Sequence, residues 1–231
     1  MDIDVYAKQW YCRYPTWRQT IEQLQTVKRK EDITKLTPYR LAQEQIVVVN
    51  DDNLNEAIDD ICRYSILGFD SESRPNFKAT DNFPISLLQI ATSNRCYLFH
   101  IEALKSFSGL KSALENPTII KFGIGLKSDT KALNQQQLSL INSVDLVSVF
   151  RALGRKKGAG AQHLTATLFD RYLRKSKRVA LSNWANYPLT DAQCRYAAED
   201  AMIALQCGLF LLALMRYYPD SHKALVMLLP S

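Results

Sequence analysis

The chain reads as short apolar runs of strand character set between stretches of helical period. "QIVVV" (45–49) is a continuous β-branched strand. Asp51 and Asn53 then offer N-caps for a helix through "LNEAIDDICRY". "ILGFDSES" (66–73) opens as a buried strand, and "SLLQIAT" (86–92) and "CYLFH" (96–100), parted by "SNR", predict a hairpin. From there the pattern alternates: "FSGLKSALEN" is helical, "TIIKF" a strand, "SDTKALNQQ" a helix, "LINSV" a strand and "DLVSVFRAL" a helix. Alternation of this kind calls for parallel pairing through crossover helices, so that, with the hairpin, the sheet is mixed.

Downstream, "AQHLTATLFDRYL" is amphipathic, and "LTDAQCRYAAEDAMIALQCGLFLLALMRYY" is the longest helical pattern in the chain. Thr190 followed three residues later by Gln193 marks its start as a capping box. The first 40 residues are polar and helix-prone around "TWRQTIEQLQTVKRK", and "GRKKGAG" (154–160) is a basic, glycine-rich loop.

Composition narrows the class. With 231 residues, 47% hydrophobic and 23% charged, the chain is suited to one substantial core. Its longest uninterrupted apolar run, "LFLLALM" (209–215), is well short of the roughly 18 residues of a membrane span, so no membrane partner is expected. The acidic, aromatic start "MDIDVYAKQWYCRYP" lacks the pattern of a secretory signal, and the odd set of five cysteines contains no CxxC pair. A reducing compartment is expected, cytoplasmic or, in a eukaryote, nuclear. His100, His163 and His222 are scattered, which argues against structural zinc. Lys and Arg exceed Asp and Glu by 29 to 23, a net +6, with the surplus concentrated in "KRK", "RKK" and "RKSKR". Such runs are commonly solvated faces, but together they favour an anionic partner, nucleic acid being the commonest.

The acids carry the chemistry. Asp70 and Glu72 alternate onto the same face of a strand, roughly 6 to 7 Å apart by strand rise, where they repel each other. "KFGIGLKSD" (121–129) is a strand end, a glycine turn and a helix start that delivers Asp129 to the first helical turn, a position where an acid also simply complements the helix dipole. Its Gly-x-Gly lacks the third glycine and later acid of a dinucleotide site, so no dinucleotide cofactor is expected. In "YAAED", Tyr196 and Asp200 share a helix face, with Ala197, Ala198 and Ala201 small enough for close approach to a sheet. Gathering four acids without countercharge raises their pKa values and costs stability; divalent cations remove that penalty, and hard carboxylate oxygens favour Mg²⁺ or Mn²⁺. Two such ions suit phosphoryl transfer.

These segments also resemble a known family. "FDSES" is similar to the first motif, "GIGLKSD" to the second and "YAAEDA" to the third of the DEDDy-type 3′-to-5′ exonucleases, the group of ribonuclease D and the Werner helicase exonuclease domain. The likeness runs from about residue 45 to 215 and includes "SKRVALSNWANYPLTDAQCRYAAEDA". Ser71 stands where threonine is common, and "SRPNF" departs from the Werner-type sequence. The resemblance implies a ribonuclease H-like α/β fold with a mixed five-stranded sheet flanked by helices. On this reading an N-terminal arm (1–44) precedes an exonuclease domain (45–217) and a loosely specified tail (218–231).

The family likeness implies metal ligation by Asp70, Glu72, Asp129 and Asp200, two Mg²⁺ or Mn²⁺ ions, and a Tyr196 hydroxyl that orients the attacking water. Glu72 would grip the 3′-hydroxyl of a single-stranded or 3′-frayed RNA or DNA, and the products would be 5′-mononucleotides. Leu88 and Phe122 are candidates either for the core or for packing against the last bases, and Trp184 is read as structural. Arg155, Lys156 and Lys157, with Lys175, Lys177 and Arg178, are candidates for backbone phosphates. The rival readings are a binding module without catalysis, which the retention of all four acids and the tyrosine opposes, and an endonuclease on the same fold.

Overall fold

Two helices lead the chain, α1 (Ile3–Arg13) and α2 (Trp17–Gln25), each started by a side-chain cap: Asp2 accepts from the Val5 amide, and Thr16 forms a capping box with Gln19. The structure is a computed structural model and describes residues 2–75, 83–106 and 108–218. After β1 (Ile46–Val49) comes α3 (Leu54–Ile61). Asn53 sits at the N-cap of α3, but its side chain accepts from the Asn50 amide instead of the helix. Then follow β2 (Ile66–Ser73), β3 (Ile85–Ala91), β4 (Cys96–His100), α4 (Ser108–Leu114), β5 (Ile120–Gly123), α5 (Lys127–Gln135), β6 (Ser143–Asp145), α6 (Leu146–Ala152), α7 (Ala161–Phe169) and α8 (Asp191–Tyr217).

The strands form one mixed sheet in the order β1-β4-β3-β2-β5-β6. β3 is antiparallel to both β2 and β4, while β1–β4, β2–β5 and β5–β6 are parallel, as the alternating helices require. The ribonuclease H-like mixed α/β fold is therefore present, with six strands where the resemblance implied five. The sixth is the β-branched "QIVVV" segment, which extends the sheet as an edge beside β4.

Strand alternation divides the core in two. Leu67 and Phe69 of β2 join Leu88 and Ile90 of β3 and the inner faces of α3, α4 and α5 on one side. On the other side α8 lies along the sheet, with α1, α6 and α7 packed around it. α8 is long and apolar enough to cross a membrane by length and composition, and 83% of its most apolar window is buried in this packing. The segment read as an arm is part of the same core: Ala7, Thr20 and Leu24 have no exposed surface, and the Trp10 indole donates to the Leu168 carbonyl at 3.2 Å. Most of the segment read as a tail, residues 219–231, lies outside the described residues.

Candidate active site

Gly68, Asp70 and Glu72 share a parity on β2 and face α8, while Leu67 and Phe69 turn into the opposite core. Gly68 is what lets the helix come close. A Cβ there would collide with the Ala201 carbonyl oxygen and stand 2.8 Å from the Leu205 Cβ. Ala197, Ala198 and Ala201, all without exposed surface, continue the close approach from the helix side. Asp200 is thereby carried onto the two strand acids. Carboxylate oxygens of Asp70, Glu72 and Asp200 lie within 4.8 Å of one another.

Asp129 approaches from the first turn of α5 and accepts a hydrogen bond from the Ser71 hydroxyl. It stands outside that tight trio, yet close enough that its charge adds to the repulsion on Asp70 and Glu72. The turn that aims it is pinned by Asp145, which accepts from the Gly125 amide at 2.8 Å and from the Val147 amide at 3.0 Å. Gly125 takes φ +89°, a conformation that favours glycine.

The electrostatics follow from this convergence. Burial first, then Asp200 and Asp129, hold the Asp70 carboxyl well above the usual carboxylate range. Glu72 is pushed up to about 9 by burial and by Asp70 and Asp200. Burial raises Asp200 and Asp129 as well, against Lys175 for the first and the Ser71 hydrogen bond for the second. Among the described residues the cation within the group is Lys175, whose ammonium is ion-paired with Asp200 and stands 3.3 Å from the Tyr196 hydroxyl. Burial pulls that ammonium down, but Asp200, Tyr196 and Asp70 outweigh it and leave it above its ordinary value. Tyr196 is pushed up to about 12, by burial and then Asp200, so at neutral pH it is a phenol. Behind it packs Trp184, fully buried, with its indole donating to the Ala180 carbonyl at 3.2 Å.

The donor set fits hard divalent cations. Among the described residues three carboxylates crowd together, Asp200 Oδ1 is buried without a hydrogen-bond partner, and a single lysine offsets the group. Asp70, Asp200 and Lys175 also line a cavity of about 160 Å³.

The structure thus brings together Asp70, Glu72, Asp129, Tyr196 and Asp200 as read from the sequence. Three of the residues considered for binding the strand are placed elsewhere. Leu88 pairs with Ser71 and points into the core on the far side of the sheet from the trio. Phe122 is fully buried beneath Gly208 of α8. Arg155 is fully buried, and its guanidinium donates to the carbonyls of Leu24, Thr26 and Gly158 and to the Thr167 hydroxyl. Lys175 belongs to the acid cluster itself. Lys156, Lys157, Lys177 and Arg178 are exposed. Ser71 and Asp145 were not read from the sequence as part of the site. Ser71 faces the side of β2 opposite to Asp70 and Glu72, and its meeting with Asp129 is seen only in the structure.

Fold and site together define a carboxylate-centred site on a ribonuclease H-like fold. The chain belongs to the 3′-5′ exonuclease domain family, which matches residues 45–213, and within it to the DEDDy type of ribonuclease D and the Werner exonuclease. It is 35% identical over 144 residues to the bifunctional 3′-5′ exonuclease/ATP-dependent helicase WRN of Mus musculus, a match that covers 61% of this chain and 10% of the mouse protein. The EXO domain of Aedes aegypti Nibbler superposes with a TM-score of 0.67 at 22% identity, over 83% of this chain and 99% of that one. A Trypanosoma brucei RNase D solved in complex with RNA U12 superposes with a TM-score of 0.64 at 20% identity, over 84% of this chain and 65% of that one. The family is metal-dependent, in keeping with the carboxylate cluster.

Proposed function

We propose that the chain hydrolyses the terminal phosphodiester at the 3′ end of single-stranded or frayed RNA or DNA and releases 5′-mononucleotides. The observation that carries this reading is the meeting of Asp70, Glu72 and Asp200 within 4.8 Å, on a domain of the 3′-5′ exonuclease family. The trypanosomal relative in complex with RNA supports a nucleic-acid substrate.

Asp70, Glu72 and Asp200, with Asp129 beside them, would hold two Mg²⁺ or Mn²⁺ ions. When bound, such ions supply positive charge to the attacking and leaving oxygens of a phosphoryl transfer. The chain's own part is orientation. Tyr196, with its proton retained to about pH 12, is a hydrogen-bonding group that aims a water and is not the base that deprotonates it. The Trp184 ring, 5.9 Å from the Tyr196 ring, backs the phenol against α8. Lys175 places a cation beside both Tyr196 and Asp200, where a phosphate oxygen would be drawn. On this reading Glu72 would accept from the terminal 3′-hydroxyl, which would restrict cleavage to chain ends.

A gel with 5′-labelled single-stranded RNA and DNA in Mg²⁺ or Mn²⁺ tests this. Wild type should shorten the strand progressively, chelator and a blocked 3′ end should stop it, and Asp70→Asn should be inactive. Undiminished activity in Asp70→Asn, or internal cuts with the 3′ end blocked, would refute the assignment.

A further inference from the structure

Beside Tyr196, on the flank of α8, lies a cavity of about 380 Å³ whose wall carries four arginines: Arg40, Arg174, Arg178 and Arg195. They come from three separate parts of the chain. Arg195 is one turn ahead of Glu199 on α8, Arg174 and Arg178 flank the start of the helical turn Lys177–Ala180, and Arg40 comes from the segment before β1. Arg40 lies outside the stretch 45–213 matched by the exonuclease family, whereas Arg174, Arg178 and Arg195 lie within it.

The pocket is organised from below. Glu199, only 2% exposed, accepts from the Leu41 amide at 3.4 Å, and its other oxygen stands 3.7 Å from the Arg40 guanidinium. That anchors the leading segment to α8 and holds Arg40 over the cavity. Arg195 is steadied by Gln43, its guanidinium donating at 3.4 Å. Among the described residues Arg174 and Arg178 have no ion pair, and both are exposed. Among the described residues, two carboxylates, Glu199 and Asp191, stand against the four guanidiniums, so the wall carries a surplus of positive charge. Planar guanidiniums in a concave setting match a phosphate, which they bind through paired hydrogen bonds.

We infer that Arg40, Arg174, Arg178 and Arg195 form a phosphate subsite that grips the backbone of the nucleic-acid strand alongside the cleavage site. This inference rests on the proposed nuclease reading for its substrate class and adds the path of the strand. Tyr196 lines this pocket and also stands beside Lys175 and Asp200, so a strand held here runs directly into the acid cluster. A grip of this kind sets register and affinity without reading sequence.

The test is fluorescence anisotropy of a 5′-labelled single strand with the full chain in chelator, where binding is read without cleavage. It therefore stands whether or not the acids perform hydrolysis, which the gel decides separately. Arg174→Ala/Arg195→Ala should bind about tenfold more weakly, with the salt dependence of log K shallower by roughly 0.7 for each phosphate no longer neutralised. Arg63→Ala removes a charge from the end of α3, on the other side of the sheet, and should leave binding as in wild type; its melting temperature and that of the double variant should match wild type. Wild-type affinity in the double variant overturns the subsite, and so does an equal loss in Arg63→Ala, which would mean diffuse charge. In a parallel arm, a nucleoside 5′-monophosphate is titrated against both proteins. Loss of mononucleotide binding with strand affinity intact would make the pocket a product site and overturn the strand assignment.

Discussion

The ammonium of Lys175 is ion-paired with the carboxylate of Asp200, at the point where three acids crowd together beneath α8. Among the described residues one lysine stands against this group, which leaves the acids under-compensated, and removing it takes that cation away. Lys175→Met should therefore lower the stability of the metal-free chain by about 2 kcal/mol, less than a fully buried pair because the lysine side chain is 30% exposed. Saturating Mg²⁺ should recover most of that loss. Urea titration with and without Mg²⁺ checks both halves.

Acidity gives a second handle. Glu72 takes up its proton near pH 9 in the folded chain against 4.5 ordinarily, and Asp70 and Asp200 are shifted in the same direction. The folded state thus binds more protons than the unfolded state between those limits, and stability falls as pH rises through that window. The contribution is fully present below 4.5 and lost above about 9. Denaturant midpoints in chelator should decline across this range, and a divalent cation should flatten the decline.

The close approach of Gly68 to α8 is the geometric condition for the site. Gly68→Ala places a Cβ against the Ala201 carbonyl and 2.9 Å from the Leu205 amide nitrogen, so the helix must move. Overpacking of this kind costs about 1 to 3 kcal/mol. Because Asp200 moves with the helix, nuclease activity should fall by roughly 100-fold while the fold survives. Circular dichroism and the gel assay on the same sample separate the two effects.

Arg155 offers a contrast within one basic run. Its guanidinium satisfies carbonyls of Leu24, Thr26 and Gly158 inside the molecule, so Arg155→Ala should cost about 3 kcal/mol of stability. The exposed neighbours Lys156 and Lys157, replaced by alanine, should leave the melting temperature within a degree or two of wild type.

The same loop shows where sequence reading ends. "GRKKGAG" reads as a solvated basic loop, but Gly154 and Gly158 take positive φ and fold it back so that the arginine points inward and the lysines outward. A charge run does not encode that choice. Leu88 was legible in principle, since alternation from Asp70 and Glu72 fixes the side of the sheet that its paired residue Ser71 faces. The acids, Tyr196 and the alanines of α8 were legible because motif spacing, strand parity and helix period are local properties. α1 was not: a short helix with Ala7 and Trp10 as its buried positions gains its stability from α8, and only the tertiary structure supplies that partner. Asp145 caps α6 by accepting from the Val147 amide, while its hold on the Gly125 amide depends on two strands being neighbours.

The proposed activity requires Asp70, Glu72 and Asp200 to be cation ligands. Crystals soaked in Mn²⁺ and measured at its absorption edge test it most directly. Anomalous density coordinated by these three carboxylates, with Lys175 withdrawn from Asp200, is the predicted result. Manganese bound elsewhere, with the trio still closed around the lysine at saturating metal, would contradict the account.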